Sequence, residues 1–515
     1  MTSEALVEGV VIESSRARTP IVRSAGRVLA VAGILGVVGQ LLFFDVGLGI
    51  NFPIALSLLL TGGWLLRRQH ARPIQLDTWL GPGAIVFAAF AAVRADPVIV
   101  ALDLLTSLAL AGGALASFGG RPVLTRSLGG VVQLALGTLR WASTGAVPAI
   151  ADARHELPST AGVGRRARPA LPVLRGLAIA IPVVLVFVAL FSSADAIFAR
   201  LVDDLFSIEL DFGDAGWRIA FASVLAWLAA GGLAFAASAP PTVISRPDTG
   251  GWRIGTTEVV TVLLAVDAVF LLFVTLQGAY LFGGLDTLEA AGMTYADYAR
   301  RGFLELVAVA VLAGGLIIAA ERLERERSQT LVAAAIGLAF LTGAVLVSAA
   351  LRLRLYQEAY GWTELRLYVL ATIVLLGWGV IGLVVTLISG RMRWIGHLLI
   401  VGALGIGLVL NVIGPVRFIS EQNVARVLDP TLVPPHGRSG LDELYAISLG
   451  DEALPSIVRA LPAVEDADAA YLADALDDRL TELRTDELTA WQAWNAGRAA
   501  ARDALERAEA RGELP

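Results

Sequence analysis

Three acidic residues stand inside apolar runs, where an uncompensated charge is expensive and is kept for a purpose: Asp103, Asp267 and Glu305. Asp267 sits about ten residues into a long apolar stretch with no arginine within a turn, so it either holds a proton or takes a partner from another helix. One use of such a carboxyl is a proton relay or cation site. The other is a hydrogen bond that glues two helices, and the sequence leaves both open. Gln277 and Tyr280 extend the same face by helical spacing. Glu305 follows Arg301 by four residues, which predicts an ion pair on one helical face. Asn51, Gln40 and Asn411 read as helix–helix glue.

The types that are missing exclude more than those present suggest. The chain has no cysteine, and all 40 basic residues are arginine. Thiolate metal sites, disulfides, a cysteine nucleophile and every lysine-dependent phosphate or Schiff-base chemistry are thereby ruled out. The four histidines, His70, His155, His397 and His436, are far apart. No cofactor or metal set is expected, and no catalytic acid–base pair is visible.

The elements that position these residues must be membrane helices. Of 515 residues, 56% are apolar and 17% charged, against the usual ~25% charged of soluble domains. Mean hydropathy is +0.71. Soluble enzymes, disordered chains and nucleic-acid binders are excluded. A helix crosses the ~30 Å hydrocarbon with about 20 apolar residues. Eleven spans are read near 27–44, 46–66, 77–93, 97–118, 173–192, 216–238, 257–283, 302–320, 329–351, 365–388 and 394–413, the third being short. The expectation is an all-α polytopic bundle with a small soluble helical domain at its C-terminal end.

Residues 128–150 are the ambiguous stretch, because Arg140 and Trp141 interrupt the run. Cytoplasmic loops collect arginine. If 128–150 stays on one side and the N-terminus is inside, 22 arginines of residues 1–414 fall inside and 8 outside; if it crosses, the division is 16 against 13. It is therefore read as an interfacial or re-entrant helix. The expected organisation is a cytoplasmic tail at 1–26, four spans over 27–118, and a basic cytoplasmic segment over 119–172. Seven spans over 173–414, a linker over 415–440 and an extracytoplasmic domain over 441–515 complete it. Residues 415–515 hold 10 Arg against 19 Asp and Glu, a net charge of −9. Helices are expected there at 441–448, 451–461, 467–483 and 486–511.

Several strings are specific in combination. They are Asp267-x9-Gln277-Gly278-Ala279-Tyr280, Thr294-Tyr295-Ala296-Asp297-Tyr298-Ala299-Arg300-Arg301-Gly302-Phe303-x-Glu305 and Arg354-Leu355-Tyr356. Beside them stand Tyr360-Gly361-Trp362-Thr363, Leu365-Arg366-Leu367-Tyr368, Ser193-Ala194-Asp195-x-x-Phe198 and Trp491-x-x-Trp494-Asn495-x-x-Arg498. Over roughly 170–500 the chain resembles the bacterial multi-pass membrane family catalogued as domain of unknown function four-one-seven-three, and its relative four-one-five-three. The resemblance implies an architecture and a bacterial cell-membrane location, and no activity.

In this topology Arg300, Arg301, Glu305, Arg354, Tyr356, Tyr360 and Arg366 fall at outer membrane ends. They are expected to form a polar rim, offered either to an anionic lipid or phosphate group or to ion pairing with Glu305, Glu358 and Glu364. Three functions remain. The first is non-enzymatic envelope support or sensing. The second is ion- or proton-coupled transport through Asp267, and the third is an enzyme acting on a lipid-linked substrate at the rim. Besides the lipid bilayer, the anionic group is the one partner the residues suggest; no nucleic-acid partner is expected.

Overall fold

The structure is a computed structural model. It describes residues 22, 24–67, 77–124, 128–156, 213–238, 256–282, 303–323, 328–434, 437 and 440–515. The expected span 173–192, the string Ser193–Phe198, and Arg300 and Arg301 lie outside these residues.

Among the described residues the fold is all-α, with one isolated backbone bridge between Val22 and Ser238. In chain order the membrane body comprises α1 (Ala25–Phe43), α2 (Asn51–Leu65), α3 (Leu80–Phe90), α4 (Pro97–Phe118), α5 (Leu128–Thr144), α6 (Ala146–Glu156) and α7 (Gly213–Ala237). It continues through α8 (Thr256–Phe282), α9 (Phe303–Leu323), α10 (Gln329–Tyr360), α11 (Glu364–Ser389) and α12 (Ile395–Ile413). Seven helices among the described residues are long and apolar enough to cross a membrane, namely α1, α4, α7, α8, α10, α11 and α12. Their outward faces carry large apolar side chains such as Ile34, Phe340 and Ile388. A water-soluble surface would not tolerate so continuous an apolar exterior, whereas lipid accepts it.

Helices α2 and α3 are shorter than a full crossing. The segment 77–94 that contains α3 links the end of α4 to the C-terminal domain. At its start Asp77 accepts from the backbone N–H groups of Val123 (3.0 Å) and Leu124 (3.1 Å), just past the end of α4. At its far end the backbone of Ala91–Arg94 bonds to the C-terminal domain at the opposite face. The turns flanking α3 supply the missing length.

The 128–150 stretch is no single rod. Helices α5 and α6 fold back on each other at Gly145. The tip lies against the middle of α7, where the Trp227 indole N–H donates to the Ser143 carbonyl at 2.8 Å. Gly231 meets the Trp141 and Ala142 carbonyls so closely that any Cβ would collide with them. The base stays at the C-terminal end of α7: Asp152 accepts from the Val22 N–H at 2.9 Å beside the Val22–Ser238 bridge, and Arg121 donates to the Phe235 carbonyl and the Ser238 hydroxyl. Eleven residues separate Trp227 from Ser238, so the hairpin tip lies about 16 Å deep.

The body has two halves. Helices α1–α7 gather around Leu56, Leu80, Phe87, Leu115 and Phe235 and around Val28, Ala32 and Leu233. Helices α8–α11 with the start of α12 gather around Leu263, Ile317, Leu338 and Leu387 and around Leu306, Val345 and Ile373. Helix α12 joins them, with Gly407 set against Phe87.

The expected linker over 415–440 is corrected over its first half. Pro415–Leu428 is a helix, α13, and its Val416 and Ile419 are fully buried. They share a core with α14 (Glu443–Ser448), α15 (Leu454–Ala460), α16 (Asp466–Leu483) and α18 (Ala496–Ala510), while α17 (Asp486–Thr489) is a single turn. Leu472, Leu476 and Leu480 line α16 at helical spacing and are fully buried, as are Ala501, Leu505 and Ala508 of α18. The first turn of α13 follows a proline at its start, which suits a helix beginning rather than a flexible tether. This core also takes in Ile99, Leu367 and Leu410 of the membrane helices, so the soluble domain is seated on the bundle rather than hung from it.

Candidate functional site at the junction of membrane body and soluble domain

Asp103 lies on α4 and Asn411 near the end of α12, so they come from the two halves of the body. The Asn411 Nδ2 donates to Asp103 Oδ1 at 2.7 Å and to the Gly407 carbonyl at 3.0 Å. Both side chains are buried, and Asp103 Oδ2 and Asn411 Oδ1 have no hydrogen-bond partner among the described residues.

One turn above, Arg94 gathers three segments. Its Nε donates to the Asn411 carbonyl at 2.7 Å and its Nη2 to the same oxygen. Its Nη1 forms an ion pair with Glu452 Oε2 at 2.9 Å. Glu452 Oε1 accepts from the Ala95 N–H at 2.7 Å. Both charged side chains are almost wholly buried. A buried pair of this kind is retained only where both partners are fully hydrogen-bonded, and removing either one costs about 3–5 kcal/mol.

Two caps complete the junction. Asp96 precedes Pro97 and caps α4, accepting from the Val98 N–H at 2.8 Å; its other oxygen accepts from the Tyr368 hydroxyl of α11 at 3.0 Å. Asn495 caps α18 through the Arg498 N–H at 3.0 Å, while its amide donates to the carbonyls of Ala91 (2.9 Å) and Arg94 (2.7 Å). Backbone bonds from Ala496 to Ala92 and from Gly497 to Val93 continue the seam. The α1–α2 loop is held the same way, by Gly47 on Glu487 and Ile50 on Trp494. Asn51 closes that loop from within, donating to Leu42 and Gly47 carbonyls. Near the start of α11 the Tyr445 hydroxyl accepts from the Glu364 N–H at 2.9 Å, and burial pushes its pKa up to about 12. Arg498 reaches the Leu48 and Ala493 carbonyls, and burial lowers its guanidinium from its ordinary value.

The other expected residues are dispersed. Asp267 on α8 faces Gly337 of α10, and its Oδ1 is buried without a partner among the described residues. Gln277, three turns along, accepts from the Ser348 hydroxyl of α10. Tyr280 belongs to α8, but its side chain is outside the described set. Glu305 is exposed in the first turn of α9, and its expected partner Arg301 is not described.

Of the rim, Tyr356, Tyr360 and Arg366 come together, and Arg354 is held within its own helix. Arg354 pairs with Glu358 at 2.8 Å. The Tyr356 and Tyr360 rings lie 5.2 Å apart, and the Arg366 guanidinium covers the Tyr356 ring at 4.1 Å while donating to the Gly361 carbonyl. Helix α13 braces the group: Arg426 donates to the Glu358 and Ala359 carbonyls, and Asn423 exchanges two hydrogen bonds with Trp362. These contacts tie the end of α10 to the soluble domain.

The junction therefore rests on residues that sequence reasoning used differently or missed. Arg94 counts there only as a loop charge, and Glu452 only as part of an acidic tail. Two signals could have found the junction: Asp96 before Pro97, a helix start that the reading passed over, and the Trp491-x-x-Trp494-Asn495 string.

The family model described as Domain of unknown function (DUF4153) matches residues 82–460. The chain belongs to that family, which the sequence strings had placed as the relative of the one named first. The matched range holds Arg94, Asp96, Asp103, Asn411 and Glu452, and stops short of Asn495. No curated protein and no solved structure matches the chain.

Proposed function

We propose that this integral membrane protein supports or senses the state of a bacterial cell envelope without catalysing a reaction, and that its soluble domain works as a docked cap whose seating reports on the membrane helices. The observation that carries this reading is the buried path Asp103–Asn411–Arg94–Glu452, which links both halves of the bundle to the domain through polar contacts alone. Buried polar contacts of this kind are costly to separate, which suits a two-state element. The arginine division supports a cytoplasmic N-terminus and an extracytoplasmic domain. The loops 44–50, 91–96 and 361–363 all meet that domain, as that parity requires. The α5–α6 hairpin then belongs to the cytoplasmic side.

The test compares cells lacking the chain with cells carrying Glu452→Gln at normal protein level. Both should lose tolerance to envelope stress, and Asp267→Asn should retain it. Transport is the second reading, favoured by the Asp267 oxygen inside α8 that has no partner among the described residues. A proton or solute flux in proteoliposomes that Asp267→Asn abolishes would replace the first reading with the second.

A further inference from the structure

Beside the junction lies a cleft of about 570 Å³ between the soluble domain and the membrane face. Its walls come from α13, α15 and α18, and Val93 and Arg94 close it on the membrane side. That volume is within the range of ~300–1,000 Å³ usual for small-ligand sites.

Its charge is opposite to that of the domain around it. Arg94, Arg417, Arg459, Arg507 and Arg511 all line it. Four of these belong to the ten arginines of residues 415–515, while two of the nineteen acids there, Glu421 and Glu452, reach the cleft. Glu452 is already paired with Arg94, and Glu513 holds Arg511 at 2.7 Å. The other three arginines touch only neutral groups of the backbone or a hydroxyl. Arg417 donates to the Ile413 carbonyl (3.4 Å), Arg459 to the Ser456 hydroxyl (3.2 Å) and Arg507 to the Asp503 carbonyl (2.8 Å). None of the three forms an ion pair with a carboxylate among the described residues, so three such arginines line the cleft beside Glu421.

We propose that this cleft binds a phosphate-bearing anion, with Arg417, Arg459 and Arg507 as its charged contacts. Guanidinium forks match phosphate oxygens two at a time, and three forks can satisfy one dianionic group. Small residues, Ala496, Gly497, Ala500 and Ala504, line the α18 wall and leave room for it. Arg417 follows the end of α12 by four residues and Arg94 lies between α3 and α4, so the cleft stands at headgroup level. A lipid headgroup and a free phosphate both meet this chemistry. The proposal rests on the sensing reading and names the class of ligand that would set the seating of the domain.

The full chain is reconstituted in phosphatidylcholine nanodiscs and titrated with inorganic phosphate. A parallel sample in nanodiscs containing phosphatidylglycerol is extracted and its retained lipid measured by native mass spectrometry. Arg459→Gln with Arg507→Gln is the variant, since both side chains are exposed and hold only local neutral contacts; Arg459→Gln alone replaces it if the pair disturbs folding. Phosphate binding that weakens by roughly tenfold or more in the variant, and weakens with added salt, supports a free anion. Retained phosphatidylglycerol that the variant loses, without phosphate binding, supports a headgroup. Absence of both, or either one unchanged in the variant, overturns the proposal. Trypsin protection of the soluble domain is read on the same samples. A protected domain with no anion effect sinks the cleft alone, whereas a freely cleaved wild-type domain sinks the docked-cap reading itself.

Discussion

Asp103 and Asp267 carry the same signal in sequence, an acid inside an apolar helix, and the structure gives them opposite surroundings. Asp267 faces a glycine of one neighbouring helix, and its oxygen Oδ1 has no donor among the described residues. The polar residue further along, Gln277, meets Ser348 of that same neighbour. The α8–α10 contact is thus two isolated polar points along an apolar seam. Asp103 instead begins a chain of contacts that passes through Asn411 and Arg94 to Glu452, joining two helical halves and a soluble domain. The two acids are told apart by how many bodies their partners belong to, rather than by burial.

That contrast can be broken most directly at Arg94. Arg94→Ala leaves Glu452 buried without its counter-charge and should cost the docked state about 3–5 kcal/mol, read as rapid trypsin cleavage near residue 430. Equal protection in variant and wild type would mean that the ion pair is not what seats the domain.

Gly414 is the next point. It joins α12 to α13 with a φ of 70°, and the Arg94 guanidinium occupies the space where a Cβ would stand. Gly414→Ala combines a left-handed alanine with that collision, and a loss of about 1–3 kcal/mol in domain docking is expected.

Alkali gives a third handle. Tyr445 in the unfolded chain ionises near its ordinary value of 10, and in the docked domain at about 12. Its neutral hydroxyl therefore stabilises docking fully below pH 10, and that contribution is lost as pH rises from 10 to 12. Protease protection should fall across this window in step with tyrosinate absorbance, and Tyr445→Phe should remove that part of the pH dependence.

The smaller effects sharpen the comparison. A double-mutant cycle of Asp103→Asn with Asn411→Leu should give a coupling of about 0.6 kcal/mol, up to ~1.7, as hydrogen bonds between membrane helices do. Asp267→Asn keeps the shape of the side chain and should change stability by less than about 0.5 kcal/mol, since its Oδ1 has no partner to lose among the described residues. A larger change there would place Asp267 in a network of its own.

Much of the body was legible in the chain because a span needs only length and apolarity. The expected 97–118 coincides with α4, and 365–388 with Glu364–Ser389. The third span illustrates the limit: only Leu80–Phe90 is helical, and the crossing is completed by turns whose polar ends are satisfied by distant residues. The tail showed the same division. The helix expected at 467–483 coincides with α16, yet Pro415–Leu428 read as a linker, because its alternation of Arg, Glu, Gln and Asn hides two residues, Val416 and Ile419, that anchor the core. At the rim, Arg354 is held by Glu358 and Arg366 is laid over Tyr356.

Composition and apolar length by themselves determined that this chain is a helical membrane protein with an acidic cap, because the cost of hydrocarbon burial is local to each segment. Arg94 and Glu452, 358 residues apart, and Asp103 and Asn411, 308 apart, were joined only by the tertiary structure. A polar side chain carries no mark of which distant partner will take it out of water, so their meeting is set by how the two halves and the cap pack.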